Sequence, residues 1–326
     1  MATSSASLQP GSLQPGTLAA KRRFGGDEVA YLVTFIFAAS ILLVTVLIVW
    51  QLWLHTAPSR EKFGFSFLTS RLWNPVEDQF GALPFIYGTV LTSFLALLIS
   101  VPLGVGAAVY LSELAPPRVS NTLTFLVELL AAVPSVIYGL MAIFMLVPLM
   151  RDYIAPGLQK TLGFLPFFSG HIYGLGYLTA GVILAIMTFP FIISVSREAL
   201  MAVPREQREA ALALGATQWE STRQAVLPFA RLGILGSIFL ALARALGETM
   251  AVTMVIGNDP AIHASLFAPG YTIAAVLANE FTEATGDIYL SALVELGLVL
   301  FALTMVINGL AQLLIVLTTS KGTAKA

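Results

Sequence analysis

The sequence predicts an all-α polytopic membrane protein with six transmembrane helices and a helix-turn-helix elbow outside the bilayer. Hydrophobic residues make up 57% of the 326 residues and charged residues 11%, and the mean hydropathy is +0.85. This composition is typical of membrane proteins rather than of water-soluble domains. The apolar runs are each long enough to cross a bilayer, which takes about 20 residues. A long polar segment with helix start and stop signals lies between the fourth and fifth runs.

The N-terminal region combines a low-complexity tail with the first apolar run. Residues 1–26 are rich in Ser, Gln, Pro and Gly, and the sequence SLQPG occurs twice. Such a segment cannot bury a core, so we expect a disordered tail. Residues 29–54 are too long for the core of a signal peptide, and no small-residue cleavage site follows them. We therefore predict that they form an uncleaved first transmembrane helix.

Five further apolar runs predict a core transmembrane domain over residues 84–318, followed by a C-terminal tail at 319–326. The predicted spans are residues 84–111, 122–150, 178–200, 229–256 and 288–318. In the third span, Pro134 and Ser135 predict a bend because proline frees a backbone carbonyl. These two residues, and Glu128 on the same span, have two open interpretations, gating and packing.

The distribution of positive charge predicts the orientation of the spans. An even number of spans places both termini on one side of the membrane. Most Lys and Arg residues lie in the tails, in the turn after the second span and in the elbow, and fewer lie in the opposite loops. Because positively charged loops stay in the cytoplasm, we expect both termini and the elbow to be cytoplasmic.

The polar segment at residues 204–228 carries the sequence signals of two short helices joined by a turn. Gly215 follows a run of strong helix formers and fits the position after a helix end, where positive φ is needed. Thr217 and Glu220 have the spacing of a capping box that starts a second helix. Pro228 then opens the next apolar run. These signals predict the elbow.

A charged residue in the fifth span is the main candidate for a substrate pathway. Arg244 lies in the middle third of this span, where a lone charge costs about 2.5–3.5 kcal/mol. Glu248 lies four residues on and would share its helix face, and Ser237 lies on nearly the same stripe. An arginine here offers fork-like donors to a tetrahedral oxyanion. The alternative is a buried ion pair that only fixes helix packing.

Several classes of function are excluded by what the sequence lacks. The net charge of −1 gives no sign of a polyanion-binding protein. Without cysteine there is no thiolate nucleophile, and the three histidines have no metal-ligand spacing. The sequence has no P-loop pattern, no GxSxG and no HExxH. We therefore expect no catalytic residue, no metal site and no ATP hydrolysis by this chain; an ATP-driven pump would need a motor on a separate chain.

The elbow contains Glu209-Ala210-Ala211, then Gly215, then Leu227-Pro228. With this pattern it resembles the EAA loop of ABC importer permeases, in which a coupling helix docks on the ATPase subunit. Ala225 stands where the family usually has an aliphatic residue. Residues 243–258 and 134–140 are similar to the C-type permease subunit of the bacterial phosphate-specific (Pst) ABC transporter family. The resemblance covers the chain from about Phe85 to the last span. The residues that match the coupling motif are Glu209, Ala210, Ala211, Gly215, Leu227 and Pro228.

This resemblance implies a type I ABC importer permease fold and the import of inorganic phosphate. It implies a homologous A-type permease as partner, two ABC ATPase subunits that use ATP and Mg, and an extracytoplasmic phosphate-binding protein. It places the chain in the bacterial inner membrane, without a bound cofactor of its own. The Arg and Glu that match Arg244 and Glu248 are implicated in phosphate passage in that family.

Two alternatives remain open at this point. The same architecture serves importers of other oxyanions, such as molybdate, sulfate or a phosphonate, and one arginine does not name an anion. A secondary carrier or channel without a motor would also suit a six-span bundle with an intramembrane charge. The elbow argues against this second alternative, because a carrier has no use for a surface shaped to dock on another protein.

Overall fold

The computed structural model describes the backbone of residues 26–323 and the side chains of residues 28–313. Within these residues, six helical segments are long and apolar enough to cross a membrane: Glu28–His55, Leu83–Leu114, Ser135–Leu162, Tyr177–Met201, Gln218–Gly247 and Asp287–Leu313. The prediction of an all-α chain with six spans is confirmed. Residues 1–25 of the predicted disordered tail lie outside the described residues.

The first helix, α1 (Gly26–His55), contains the predicted span at 29–54. The described residues up to Trp50 form one compact unit, and those from Gln51 to Thr323 form another. The α1 side chains are almost all exposed, as expected for an apolar helix surrounded by lipid.

The second unit contains fourteen helices that follow α1, and several are continued by short π-helical segments at Tyr110–Leu114, Ala142–Leu146, Met150–Ile154 and Thr222–Val226. In chain order the helices are α2 (Ala57–Phe63), α3 (Ser66–Thr69), α4 (Leu83–Val109), α5 (Pro117–Ala131), α6 (Ser135–Met141), α7 (Val147–Leu149), α8 (Ala155–Leu162), α9 (Tyr177–Met201), α10 (Arg205–Ala213), α11 (Gln218–Ser221), α12 (Leu227–Gly247), α13 (Met250–Thr253), α14 (Ile273–Glu280) and α15 (Asp287–Thr323).

Helices α4 and α9 form the centre of this unit. A Cβ added at Gly104 would lie 2.8 Å from the Ile192 side chain, and one at Gly181 would lie 2.7 Å from Leu95. Glycine at these positions lets the two helices approach closely, which is a common basis of helix packing in membranes. Helix α12 also packs closely on α9. The close approach is at Gly233, where an added Cβ would collide with Ala199.

The bend predicted at Pro134 and Ser135 is present as a complete break, so the predicted third span at 122–150 consists of two helices rather than one. Helix α5 ends at Ala131, Pro134 has extended backbone, and α6 begins at Ser135. The break arises because proline lacks an N–H and pushes the residue before it out of the helical region. The membrane-length helix starts after the break and reaches Leu162, well into the predicted loop. The Tyr138 hydroxyl donates to Leu130 O at 2.7 Å and ties the two sides of the break together.

The predicted fifth span at 229–256 is also interrupted. Helix α12 ends at Gly247, and Glu248 is extended with φ −68° and ψ 127°. A short helix, α13, follows at Met250–Thr253. Sequence reasoning joined these pieces because the apolar run continues through the break.

The loops and the last span also differ from the sequence-based boundaries. The predicted loop after the fifth span contains α14, whose first four residues, Ile273 to Val276, are buried. Helix α15 continues to Thr323, so the start of the predicted tail at 319–326 is helical backbone. Apolar length alone does not mark the point where such a helix ends.

Candidate functional site

The elbow turns at Gly215, as the sequence predicted. Gly215 has φ +88°, a conformation that glycine adopts without steric cost. Its N–H donates to Leu212 O at 2.9 Å, and Ala216 N donates to Ala211 O at 3.2 Å. These bonds satisfy the carbonyls at the end of α10, so the chain can reverse within a few residues.

The second elbow helix begins with the predicted capping box. Thr217 Oγ1 accepts from Glu220 N at 3.3 Å, and the Glu220 carboxylate accepts from Thr217 N at 2.8 Å. The hydrogen bond from the Thr217 backbone lowers the pKa of Glu220 below its ordinary value. The bond to the Glu220 carboxylate is therefore present at neutral pH and weakens as the pH falls through this lowered pKa, whereas the bond from Glu220 N to Thr217 Oγ1 does not titrate.

Replacing Thr217 with alanine is expected to loosen α11. The change removes the side-chain acceptor for Glu220 N, a loss that typically costs about 1 kcal/mol. Hydrogen exchange at the amides of residues 218–221 should become faster. Thr122→Ala is the matched control, because the Thr122 hydroxyl only donates back to Arg118 O on an exposed helix. Unchanged exchange at residues 218–221 would contradict the assigned cap.

The elbow exposes three large apolar side chains among many charged and polar ones. Leu214 is 90% exposed, Trp219 53% and Leu212 49%. Glu209 and Ala210 of the motif are exposed beside them. Of the other motif residues, Ala211 and Leu227 are half-buried, and Pro228 is exposed at the start of α12. An exposed apolar patch with a charged rim is typical of a surface that binds another protein.

An arginine of the elbow reaches back to the transmembrane helices. The Arg208 guanidinium donates two hydrogen bonds to the Glu113 carboxylate, at 2.8 and 3.0 Å. Sequence reasoning counted Arg208 only as a cytoplasmic charge and did not identify Glu113. The two residues are 95 positions apart, so spacing carries no signal for their contact.

Arg244 is exposed in the last turn of α12, but the predicted pair with Glu248 is wrong in this conformation. Among the ion pairs of the described residues, none within 4.0 Å joins these two side chains. The reason is the helix end at Gly247, which removes the i, i+4 geometry. Glu248 Oε1 instead accepts from Ala251 N at 3.4 Å, at the start of α13.

Ser237 is not exposed together with Arg244 in this conformation, and its place in a substrate pathway stays a prediction. Its side chain is fully buried, and its Oγ lies 2.7 Å from Ser196 Oγ on α9. It also donates to Ile234 O at 2.7 Å. Ser237 and Arg244 lie on nearly the same face of α12, but α9 covers this face at Ser237. Ser237 therefore packs helices together, whereas Arg244 stays accessible.

The breaks in the third and fifth spans lie close to each other. Helices α6 and α13, which follow the breaks, are in direct contact: a Cβ at Gly139 would lie 3.2 Å from Ala251 Cα. Pro134 precedes α6 and Ser135 is its first residue. Glu128 is exposed on α5 before the break. Irregular backbone at membrane depth is tolerated only inside protein or beside a water-filled cavity.

A cavity of about 220 Å³ lies between α4, α5, α6 and α9. Its walls are almost entirely apolar and include Leu103, Leu130, Phe189 and Pro190. Burying an anion in such a cavity would remove its hydration without replacing it. This cavity is therefore a poor site for an anion, and the exposed guanidinium of Arg244 is the better candidate.

Six spans, a helical elbow that exposes apolar side chains, and two broken spans are typical of the membrane subunit of a transporter that docks on another protein. Residues 100–316 match the family described as "Binding-protein-dependent transport system inner membrane component", and the chain belongs to this family. Its members are permease subunits of ABC transporters and are not generally enzymes. The chain is accordingly a multi-pass membrane protein whose family works with ATPase and binding-protein partners.

Curated relatives match most of the chain. The "Phosphate transport system permease protein PstC" of Mesorhizobium japonicum is 48% identical over 84% of this chain and 86% of its own length. The protein of the same name in Haemophilus influenzae is 46% identical over 87% of this chain and 89% of its own. A probable PstC of Methanocaldococcus jannaschii is 36% identical over 82% and 87%.

Solved structures support the fold. A bacterial ABC transporter involved in importing the acidic polysaccharide alginate has a chain that aligns with a TM-score of 0.58. It covers 88% of this chain and 96% of its own length at 16% identity. The methionine transporter MetNI in an inward-facing conformation aligns with a TM-score of 0.50 over 70% of this chain and 93% of its own, also at 16% identity. Both are ABC transporters, and the type I importer permease fold is confirmed.

Proposed function

We propose that this chain is the membrane-spanning permease subunit of an ATP-driven importer that translocates inorganic phosphate into the cytoplasm. The observation that carries the proposal is the exposed arginine at the end of α12, Arg244, in a chain 46–48% identical to phosphate permeases. An importer of another oxyanion with the same architecture, or a carrier without a motor, would give a different result in an uptake assay.

The chemistry of Arg244 suits a passing phosphate. A guanidinium presents several N–H donors in a planar fork that matches the geometry of phosphate oxygens. Leaving such a charge within a membrane span costs several kcal/mol unless water or a partner reaches it. Because the described residues provide no carboxylate within 4.0 Å of Arg244, its donors are free for an anion in this conformation.

The break after α12 leaves the Arg244 guanidinium accessible to a passing anion. The helix ends three residues beyond Arg244, and the extended residue Glu248 turns its carboxylate toward the α13 backbone. We expect Glu248 to stay near enough to prevent the anion from binding too tightly to leave. The exposed acid of α5, Glu128, would act in the same way on the anion or face a partner subunit.

The elbow is the proposed docking site of the ATPase. Its exposed apolar residues, Leu214 and Trp219, have the character of interface anchors. We propose that it lies in the cytoplasm with both termini, in a bacterial inner membrane. The complete importer would contain a homologous A-type permease, two ATPase subunits that use ATP and Mg, and an extracytoplasmic phosphate-binding protein. This chain would bind no cofactor itself.

The proposed cycle follows from this arrangement. ATP binding closes the two ATPase subunits and draws the two elbows together. The helices joined to the elbows move with them and open the pore outward, so that the binding protein releases phosphate. Hydrolysis resets the pore toward the cytoplasm.

The decisive test is uptake of labelled phosphate into proteoliposomes that contain the full candidate complex, with binding protein and ATP supplied. We expect uptake that requires ATP and is blocked by excess unlabelled phosphate, but not by equal concentrations of sulfate or molybdate. Matched vesicles without ATP are the control. Uptake that proceeds without ATP would identify a carrier, and a block by molybdate or sulfate alone would identify another oxyanion as the substrate.

A further inference from the structure

Glu113 is a buried acid at the end of the second span. It lies in the π-helical segment Tyr110–Leu114 that continues α4, and its side chain is only 8% exposed. A buried carboxylate is stable only when it is paired and hydrogen-bonded. The structure supplies such a partner from the elbow.

The partner, Arg208, makes four hydrogen bonds that lead to two different spans. Its Nε and Nη2 donate to the two carboxylate oxygens of Glu113 at 3.0 and 2.8 Å. Its Nη1 donates to Val203 O at 2.6 Å, and Nη2 also donates to Leu200 O at 2.8 Å. The hydrogen bonds that Arg208 donates to the Glu113 carboxylate raise the pKa of Arg208, which therefore stays charged. The side chain joins the end of α4 to the end of α9.

The second elbow helix, α11, binds the backbone of the same residue, Glu113. Gln218 Nε2 donates to Glu113 O at 2.6 Å. Both elbow helices therefore form hydrogen bonds to Glu113, α10 through Arg208 and α11 through Gln218. We call these three residues the Glu113 clamp.

The clamp provides a connection that the covalent chain does not. The elbow continues directly from α9 on one side and into α12 on the other. It has no such link to α4, which packs closely on α9. A bidentate arginine–carboxylate pair fixes direction as well as distance, so it can carry a displacement of the elbow into α4.

We infer that Arg208 and Glu113 are positioning residues that couple movement of the elbow to the pore helices. The inference rests on the proposed function, in which an ATPase pulls on the elbow. Neither residue touches the substrate. Their loss uncouples ATP hydrolysis from transport, whereas a purely structural pair would affect both to the same degree.

The first test measures phosphate uptake and ATP hydrolysis in the same proteoliposomes of the complete complex. Arg208→Lys keeps the charge but loses the two-pronged geometry, and we expect phosphate transported per ATP to fall by at least about tenfold, the effect of losing a charge-assisted hydrogen bond. The exchanged pair, Glu113→Arg with Arg208→Glu, should recover part of this ratio. Arg118→Gln, an exposed arginine near the same turn, is the matched control and should keep the wild-type ratio.

The second test does not depend on the substrate. The natural chain has no cysteine, so spin labels on Ser112→Cys and Ala213→Cys report the distance between the α4 end and the elbow. We expect a narrow distance distribution with the clamp intact and a broad one in Arg208→Gln. An equally narrow distribution, or an unchanged uptake ratio in Arg208→Lys, would overturn the inference. Absence of phosphate uptake in the wild type, with the broadening still present, would reject the proposed substrate and leave the clamp standing.

Discussion

Replacing Arg244 with glutamine is expected to abolish most phosphate uptake while the ATPase subunits still copurify with the complex. The neutral amide keeps much of the side-chain length but loses the charge and the planar fork of donors. A hydrogen bond to a charged group contributes about 1.5–3 kcal/mol, which corresponds to roughly a 10- to 100-fold loss in rate. Assembly should persist because Arg244 is exposed and makes no ion pair among the described residues.

Two further variants sharpen this test. Arg244→Lys retains the charge without the fork, so we expect uptake between the wild type and the glutamine variant. Arg231→Gln removes another exposed arginine of the same helix, near its start, and should leave uptake unchanged. If Arg244→Gln transports at the wild-type rate, the proposed anion contact is wrong.

Glu248 shows why the intramembrane site was only partly predictable from the sequence. The i, i+4 rule applies to a helix that continues, and a helical spacing from Arg244 predicts a pair. The structure ends the helix at Gly247 and uses Glu248 to accept a hydrogen bond from Ala251 N. Helix periodicity predicts which face of a helix a residue occupies. It does not predict where, within one apolar run, tertiary packing interrupts that helix.

The elbow was predictable in detail because its determinants are local. Gly215 needs positive φ, and Thr217 with Glu220 forms a reciprocal cap within four residues. Each of these features depends on nearest neighbours along the chain. These signals predict α10, the turn and the start of α11, but not the end of the second elbow helix, because α11 continues through the π-helical segment Thr222–Val226 into α12.

The long-range contacts were not predictable because local patterns in a single sequence do not reveal which distant residues meet. The Arg208–Glu113 pair spans 95 positions, and the Ser196–Ser237 contact spans 41. The second contact determines that Ser237 is buried, which helix periodicity alone does not reveal. The same limit applies to the contact between α6 and α13 at Gly139, where two broken spans meet.

Replacing Gly215 with valine is expected to remove the ATPase subunit from the purified complex. The residue has φ +88°, and a β-branched side chain is strongly disfavoured in that conformation. Strain of this kind costs about 1–3 kcal/mol, and the chain relieves it by changing the turn. Because the turn sets the direction of α11, the exposed Trp219 would move relative to α10, and the docking surface would lose its shape.

The control for this experiment imposes the same strain elsewhere. Gly286 has φ +102°, and nothing lies within 4 Å of a Cβ at this position or at Gly215. Gly286→Val therefore introduces comparable backbone strain in the loop before α15, away from the elbow. Copurification of the ATPase should be lost only in Gly215→Val. Equal retention in both variants would show that the elbow does not receive the motor, and equal loss would point to global misfolding instead.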